Sequence, residues 1–377
     1  MKIATNVTRE YLGGITKSNI SFLDFTNGKS DSILGIEINA RRHMQGASIF
    51  NHLPPDWFSH QIINTPDINL GDLIRSSKNL KDLEKKYRPI IKIIKTILSK
   101  DRPDIVFLNG TYYIPWLISI AAHELKIPIV LRYAGVYTKE TENFKPKARK
   151  FFNEIEKSFQ KRVRYFIFPS RLCKDVVEKE VIKKEVTNSY IIPNPFDVPQ
   201  DKKTFESVER RIAAIGRWDK IKNFEKYFKI HKELLKENWG HDASFVTGYG
   251  KIKSFPKTIN RIAPMNHKEL MEFYSSQGLI ICPSLFETFG NVPIEAVCMG
   301  IPVLISENMG CAEVLKTAGL GNMVMSFDNI KEVTKRVKEL CGQQILPKQI
   351  NNLRRVLDPK VINAEIMSIL RSTIDEE

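Results

Sequence analysis

Two carboxylates and two cations have the types and spacing to do chemistry. Glu287 and Glu295 lie eight residues apart in the stretch 279–315, LIICPSLFETFGNVPIEAVCMGIPVLISENMGCAEVL. An acidic side chain at the carboxyl end of a strand can accept hydrogen bonds from paired hydroxyls such as a ribose diol. Arg217 and Lys222 sit in GRWDKIKNF, 216–224. A guanidinium presents a planar fork to phosphate oxygens and an ammonium a compact charge, so a diphosphate can be gripped from two sides. Spacing alone leaves a plainer reading open, of solvated glutamates on an ordinary strand–helix unit and surface cations in a basic chain. Gly13 and Gly14, in YLGGI, either let backbone amides approach a phosphate or an acceptor, or simply make a tight turn.

These residues need elements to hold them. Leu279 to Cys282 is a short apolar run suited to a buried parallel strand, ended by Pro283 and Ser284. Pro293 suits a first helical position, Ile294 to Met299 a helix, and Gly300 its stop. Glu287 then falls in the loop and Glu295 at the helix start, so both can face one cleft. The loop amides around Phe289, Gly290 and Asn291, with the helix N-terminus, suit an anion. Arg211 to Ile215 is likewise a strand, closed by Gly216, with Arg217 and Lys222 following its carboxyl end and a helix running on to about Glu237.

The rest of the chain alternates in the same way. Strands are expected at Lys2–Val7, Ile33–Ile38, Asp104–Asn109, Ile127–Tyr133, Tyr165–Pro169 and Tyr190–Ile192, with Arg41 to Asn64 irregular. A long helical region from Leu73 to Ser99 is expected to be interrupted or kinked at Pro89. The cluster PNPFDVP, 193–199, is the clearest breaker and marks a domain boundary. The expected division is 1–197, 198–357, and a terminal helix in 358–377 returning to the first domain. Alternation at this spacing predicts an α/β fold of parallel sheets covered by helices.

The string PSLFETFGNVPIEAVCMGIPVL resembles the E-x7-E signature region of retaining glycosyltransferases of family 4. The likeness includes the Pro-Ser, Phe-Gly, Glu-Ala and Gly-x-Pro-Val pieces. GRWDKIKNF is similar to that family's Gly-Arg…Lys segment, and the Asn-Pro turn after Ile192 matches its Pro-Asn-Gly turn with Pro195 in place of glycine. The resemblance implies the GT-B fold, two Rossmann-like domains with parallel sheets facing across a cleft. It implies that Arg217 and Lys222 bind the donor diphosphate, that Glu287 contacts the transferred sugar, and that Glu295 holds the ribose. Gly216, Phe289, Gly290, Asn291, Gly13 and Gly14 complete the donor site by the same correspondence. Many members carry a histidine after the strand ending near Tyr133. This chain has Arg132-Tyr133-Ala134-Gly135, which leaves Arg132 and Tyr133 as acceptor-side candidates. The implied reaction moves a sugar from a nucleotide-diphosphate donor to a glycan, lipid-linked or small-molecule acceptor in cell-surface polysaccharide or glycolipid synthesis. No D-x-D pair is present to hold a metal, and no cofactor is expected.

Composition sets the remaining bounds. The 377 residues suffice for two cores, and a formal charge of +15, from 58 Lys and Arg against 43 Asp and Glu, favours polyanionic partners. Glu140 to Arg164 is basic with interleaved aromatics, either a packed helix with a solvated basic face or a surface for anionic lipid. The five cysteines have no C-x-x-C spacing and read as buried free thiols, and the scattered histidines suggest no metal site. Without an apolar leader or a spanning stretch, the expectation is a cytoplasmic enzyme, with peripheral attachment to the inner membrane face alongside. Competing functions are a sugar-nucleotide epimerase of the same fold, a non-catalytic sugar-nucleotide binder, and a nucleic-acid-binding protein. The last lacks any helix-turn-helix, zinc or RNP-type signature, so nucleic acid is not an expected partner.

Overall fold

The computed structural model describes residues 1–7, 14–27, 31–39, 57–65, 70–197, 208–248, 252 and 255–376. It divides into two compact units, Met1–Pro195 with Pro359–Glu377, and Phe196–Asp358. Each is built on a parallel sheet.

The first unit's sheet contains β1 (Lys2–Asn6), β2 (Ser32–Asn39), β3 (Phe58–Asn64), β4 (Ile105–Asn109), β5 (Ile129–Arg132), β6 (Tyr165–Phe168) and β7 (Ser189–Ile191). Their spatial order is β3-β2-β1-β4-β5-β6-β7, a doubly wound sheet whose order reverses between β1 and β4. The central strands are apolar because helices cover both faces, and every residue of β4 and β5 is buried. The terminal helix Pro359–Asp375 belongs to this unit. Its Ile362, Ile366 and Leu370 enter the same core as Ile3, Phe22 and Phe107. Asn363 Nδ2 donates to Ser21 O at 3.1 Å, and Arg371 pairs with buried Asp31 at 2.9 Å.

Two features of this unit differ from expectation. The span read as irregular up to Asn64 contains β3, paired with β2 from Ile33↔Phe58 to Asn39↔Asn64. Its sequence, FSHQIIN, hides it: an edge strand has one neighbour, and only Phe58 and Ile63 are buried. The long helical region breaks near 77–79, not at Pro89. Asn79 caps the second helix, Leu80–Asp101, by accepting from Asp82 N, and Pro89 lies inside it. The basic segment is mostly helical, as expected, with a helix over Pro146–Ser158 continued by a 3-10 turn over Phe159–Lys161.

The second unit contains β8 (Arg211–Ile215), β9 (Asp242–Val246), β10 (Asn260–Ile262), β11 (Leu279–Cys282), β12 (Val303–Ser306) and β13 (Val324–Met325). Their order is β10-β9-β8-β11-β12-β13, so the reversal falls between β8 and β11, which pair through Leu279↔Ile212 and Ile280↔Ala213. In sheets of this kind ligands bind outside the carboxyl ends of the strands flanking the reversal. The core there is formed by Ile212, Tyr227, Phe245, Ile280, Val297 and Leu304. A helix over Pro347–Leu357, absent from the sequence reading, packs on this core through Ile350, Leu353 and Leu357. The helix holding Glu295 runs Asn291–Cys298, so Pro293 is its third residue rather than its first. A proline still fits, because the first-turn amides have no intrahelical acceptor. Gly300, at φ +83, ends the helix: its N–H reaches Val297 O and that of Ile301 reaches Ala296 O.

No helix among the described residues is long and apolar enough to cross a membrane. The five cysteines are free thiols, four of them buried.

Candidate active site

The loops after β8 and β11 are stitched together at the reversal. After β8 the chain passes Gly216 at φ +151, where an added Cβ would lie 3.0 Å from Phe224 Cζ. Asp219 then caps a turn over Lys220–Lys222. Asn223 adopts a left-handed backbone, φ 53, that short polar side chains tolerate. Its Nδ2 donates to Pro283 O at 3.1 Å, and Leu285 N donates to Ile221 O at 2.8 Å. These two bonds tie the Lys222 turn to the loop that carries Glu287.

The consequence is a close ion pair. Lys222 Nζ lies 2.7 Å from Glu287 Oε1, with the side chains 27% and 18% exposed. Buried Ser284 donates its hydroxyl to the same oxygen at 2.8 Å. The backbone of Glu287 is fixed from the other side, its N–H donating to Asn308 O and its carbonyl accepting from Gly310 N. Phe289 is buried, and its carbonyl accepts from Cys311 N at 2.7 Å. Gly290, at φ +98, caps the helix at the tightest point: an added Cβ would lie 2.7 Å from Met309 Cε and 3.3 Å from Cys311 Sγ. Burial, with Glu287 adding to it, pushes the Cys282 and Cys311 thiols well above their ordinary range, so neither serves as a thiolate nucleophile.

Arg217 stands apart from this packing. Its side chain is 77% exposed, and its Nη2 reaches Asp219 Oδ2 at 3.3 Å. The guanidinium is therefore available at the same strand end that presents Lys222. Glu295 is buried, and its Oε2 accepts from the Tyr274 hydroxyl at 3.1 Å. Asn291, half-buried, begins the helix.

In the first unit, Gly14 opens the helix Gly14–Thr26, while Gly13 lies outside the described residues. Arg132 and Tyr133 are not exposed acceptor-side groups. Arg132 is buried, and its Nη2 donates to Pro193 O at 3.0 Å and Asn194 Oδ1 at 3.1 Å. It thereby ties β5 to the end of the domain, and burial draws its pKa down to about 10. Tyr133 is buried and stacked on Phe168 at 5.0 Å.

The sequence reading missed two positioning residues. Ser284 precedes Glu287 by three, the S-x-x-E spacing of a helix cap, but here the serine hydroxyl bonds to the glutamate itself. Glu156, fully buried on Pro146–Ser158, reaches the loop after β5. It accepts from Tyr137 N (3.0 Å), Thr138 N (2.9 Å), Thr138 Oγ1 (2.8 Å) and Thr111 Oγ1 (3.2 Å). Burial raises its carboxyl to about 7 even though these donors oppose the shift. Nothing in the basic run around it distinguishes Glu156 from a surface carboxylate.

Residues 69–200 match the family described as Glycosyltransferase Family 4, and 255–355 match Glycosyl transferases group 1. The second match holds Glu287 and Glu295, whereas Arg217 and Lys222 fall between the two. The chain is a GT4-type glycosyltransferase. This glycosyltransferase is 22% identical over 274 residues to an uncharacterized 41.2 kDa protein in the cps region of Klebsiella pneumoniae, covering 69% of this chain and 75% of that one. It is 26% identical over 176 residues to the amylovoran biosynthesis glycosyltransferase AmsD of Erwinia amylovora, covering 43% and 48%, so it spans about half of that relative. Sucrose-phosphate synthase from Thermosynechococcus elongatus shares its fold over 100% of both chains, with a TM-score of 0.72 at 14% identity. The fold is GT-B.

Proposed function

We propose that this glycosyltransferase moves a sugar from a nucleotide-diphosphate donor, with retention of configuration and without a divalent metal. The observation that carries the reading is the Lys222–Glu287 pair, at 2.7 Å, held at the β8/β11 reversal beside the exposed Arg217. Charge develops on the diphosphate as it departs, and preorganised cations at that point lower the barrier. Arg217 forks onto the phosphate oxygens, and Lys222 supplies a second charge whose position Glu287 fixes. Glu287 also meets the transferred sugar. Glu295, its rotamer held by Tyr274, receives the ribose hydroxyls, and the first amides of the helix Asn291–Cys298 face the phosphate.

The acceptor is a glycan, lipid-linked sugar or small molecule in cell-surface polysaccharide or glycolipid synthesis. The relative named for amylovoran biosynthesis supports that pathway. The enzyme works in the cytoplasm, peripherally at the anionic membrane face, drawn there by its net positive charge.

The test uses water as the acceptor. Slow hydrolysis of uridine, guanosine and adenosine diphosphate sugars is followed by proton NMR, with and without excess chelator. The first sugar released is expected to keep the donor's anomeric configuration, at a rate the chelator leaves unchanged. An inverted anomer refutes retention, loss of activity restored by magnesium or manganese refutes metal independence, and a C-epimerised sugar nucleotide identifies an epimerase.

A further inference from the structure

An open groove of about 530 Å³ lies in the first unit, between the exposed face of the helix Pro146–Ser158 and the turn ending at Lys183. Arg149, Asn153 and Lys157 recur at every fourth position and so share one face of that helix. Four cations line the groove, Arg149, Lys150, Lys157 and Lys183, and all but Lys150 have no ion-pair partner among the described residues. Two of the three lining carboxylates are already matched: Glu180 pairs with Lys139 at 2.6 Å, and Glu154 stands 3.9 Å from Lys150. Glu142 remains, so unpaired positive charge outnumbers negative there.

Three further observations point to a ligand. The Oδ1 of Asn153 is buried without a hydrogen-bond partner, and a turned amide presents NH2 at the same place. Phe144 stands at the rim, 48% exposed, braced edge-on by Phe152 at 5.7 Å, which stacks on Tyr137 at 5.3 Å. Lys183 has a left-handed backbone, φ 60, and closes a π-helical turn over Val177–Ile182, a local geometry concentrated at functional sites. A compact polyvalent oxyanion satisfies several cations and an amide at once, and an apolar or sugar portion attached to it meets the aromatic rim.

We propose that this groove binds a phosphoryl group carried on a sugar or a lipid. Arg149, Lys157, Lys183 and the Asn153 amide meet its oxygens, and Phe144 meets the attached portion. The site lies in a different unit from the donor motifs and does not depend on which sugar is transferred. Two probes separate the sources of the phosphoryl group: vesicles of phosphatidylglycerol in phosphatidylcholine, by co-sedimentation, and soluble glycerol 3-phosphate, by calorimetry. The groove variant is R149Q/K157Q/K183Q, and a control of equal charge change is K92Q/K232Q/K348Q, all at exposed positions. Circular dichroism and melting confirm folding of both, and Lys183→Gln alone serves if the triple variant is unstable.

The groove variant is expected to bind at least tenfold more weakly, and the control within twofold of wild type. Binding to vesicles alone assigns a lipid-borne phosphate, and binding to the soluble ester assigns a free one. Equal losses in the groove and control variants, or no binding of wild type to either probe, overturn the proposal.

Discussion

Replacing Lys222 by alanine separates its two roles. In the resting protein its ammonium is 2.7 Å from Glu287 Oε1, and both side chains are less than a third exposed. A hydrogen bond to a charged group contributes roughly 1.5–3 kcal/mol, and partial exposure here reduces that to about 1–2 kcal/mol. For a unit of this size that is a fall of roughly 2–8 °C in the melting transition of the second unit. Arg217→Ala removes a side chain that is 77% exposed and, among the described residues, pairs only with Asp219 at 3.3 Å, so its stability change should stay within about 0.5 kcal/mol. Turnover should fall in both variants, by about 10²–10³ for a preorganised group facing developing charge. Melting is read by scanning calorimetry, and turnover by release of nucleoside diphosphate. A double-mutant cycle with Glu287→Gln then gives the coupling. A Lys222→Ala protein as stable as wild type, or an equally destabilised Arg217→Ala protein, would refute the reasoning.

Other perturbations follow from the same geometry. Gly290→Ala forces a side chain onto φ +98 and against Met309, so it should cost about 1–3 kcal/mol, read by chemical denaturation, together with a loss of turnover. Glu156 has a folded pKa raised to about 7, so the native state holds its proton longer than the unfolded chain. Its contribution is fully present below about pH 4.5 and is lost as pH rises through about 7. Wild type should therefore lose stability relative to Glu156→Gln as pH rises over that window, and a wild type that gains on the variant contradicts it. Arg162 lies in the basic segment but bonds Ser119 Oγ at 3.0 Å and Ser158 Oγ at 2.8 Å, over the Phe159 ring. Charge reversal there should lower the melting temperature, whereas Lys150→Glu, at an exposed position, should not.

The strands and turns that carry Arg217, Lys222 and Glu287 were legible because they sit on short-range patterns. Apolar runs gave β8 and β11, glycines marked their ends, and the cations and carboxylates followed immediately. What brings Lys222 to Glu287 was not legible. It depends on Asn223 reaching Pro283 and on Ser284 turning toward Glu287, contacts between loops 60 residues apart in sequence or not matched to any cap. Edge strand β3 escaped because its exposed positions carry no alternation. Arg132 became an acceptor-side candidate because it stands where many members of the resembled family carry a histidine, yet its guanidinium is buried and donates to Pro193 and Asn194. Burial decides such cases, and position in the sequence alone does not reveal it.

The central claim is that Arg217 and Lys222 grip a diphosphate at the β8/β11 reversal. Calorimetric titration of uridine, guanosine and adenosine diphosphate into wild type and Arg217→Ala tests it most directly. The account predicts that at least one of the three binds wild type at one site, and that Arg217→Ala weakens that binding about tenfold to a hundredfold with its melting temperature unchanged. Equal affinity in the two proteins, or binding of none of the three, would contradict it.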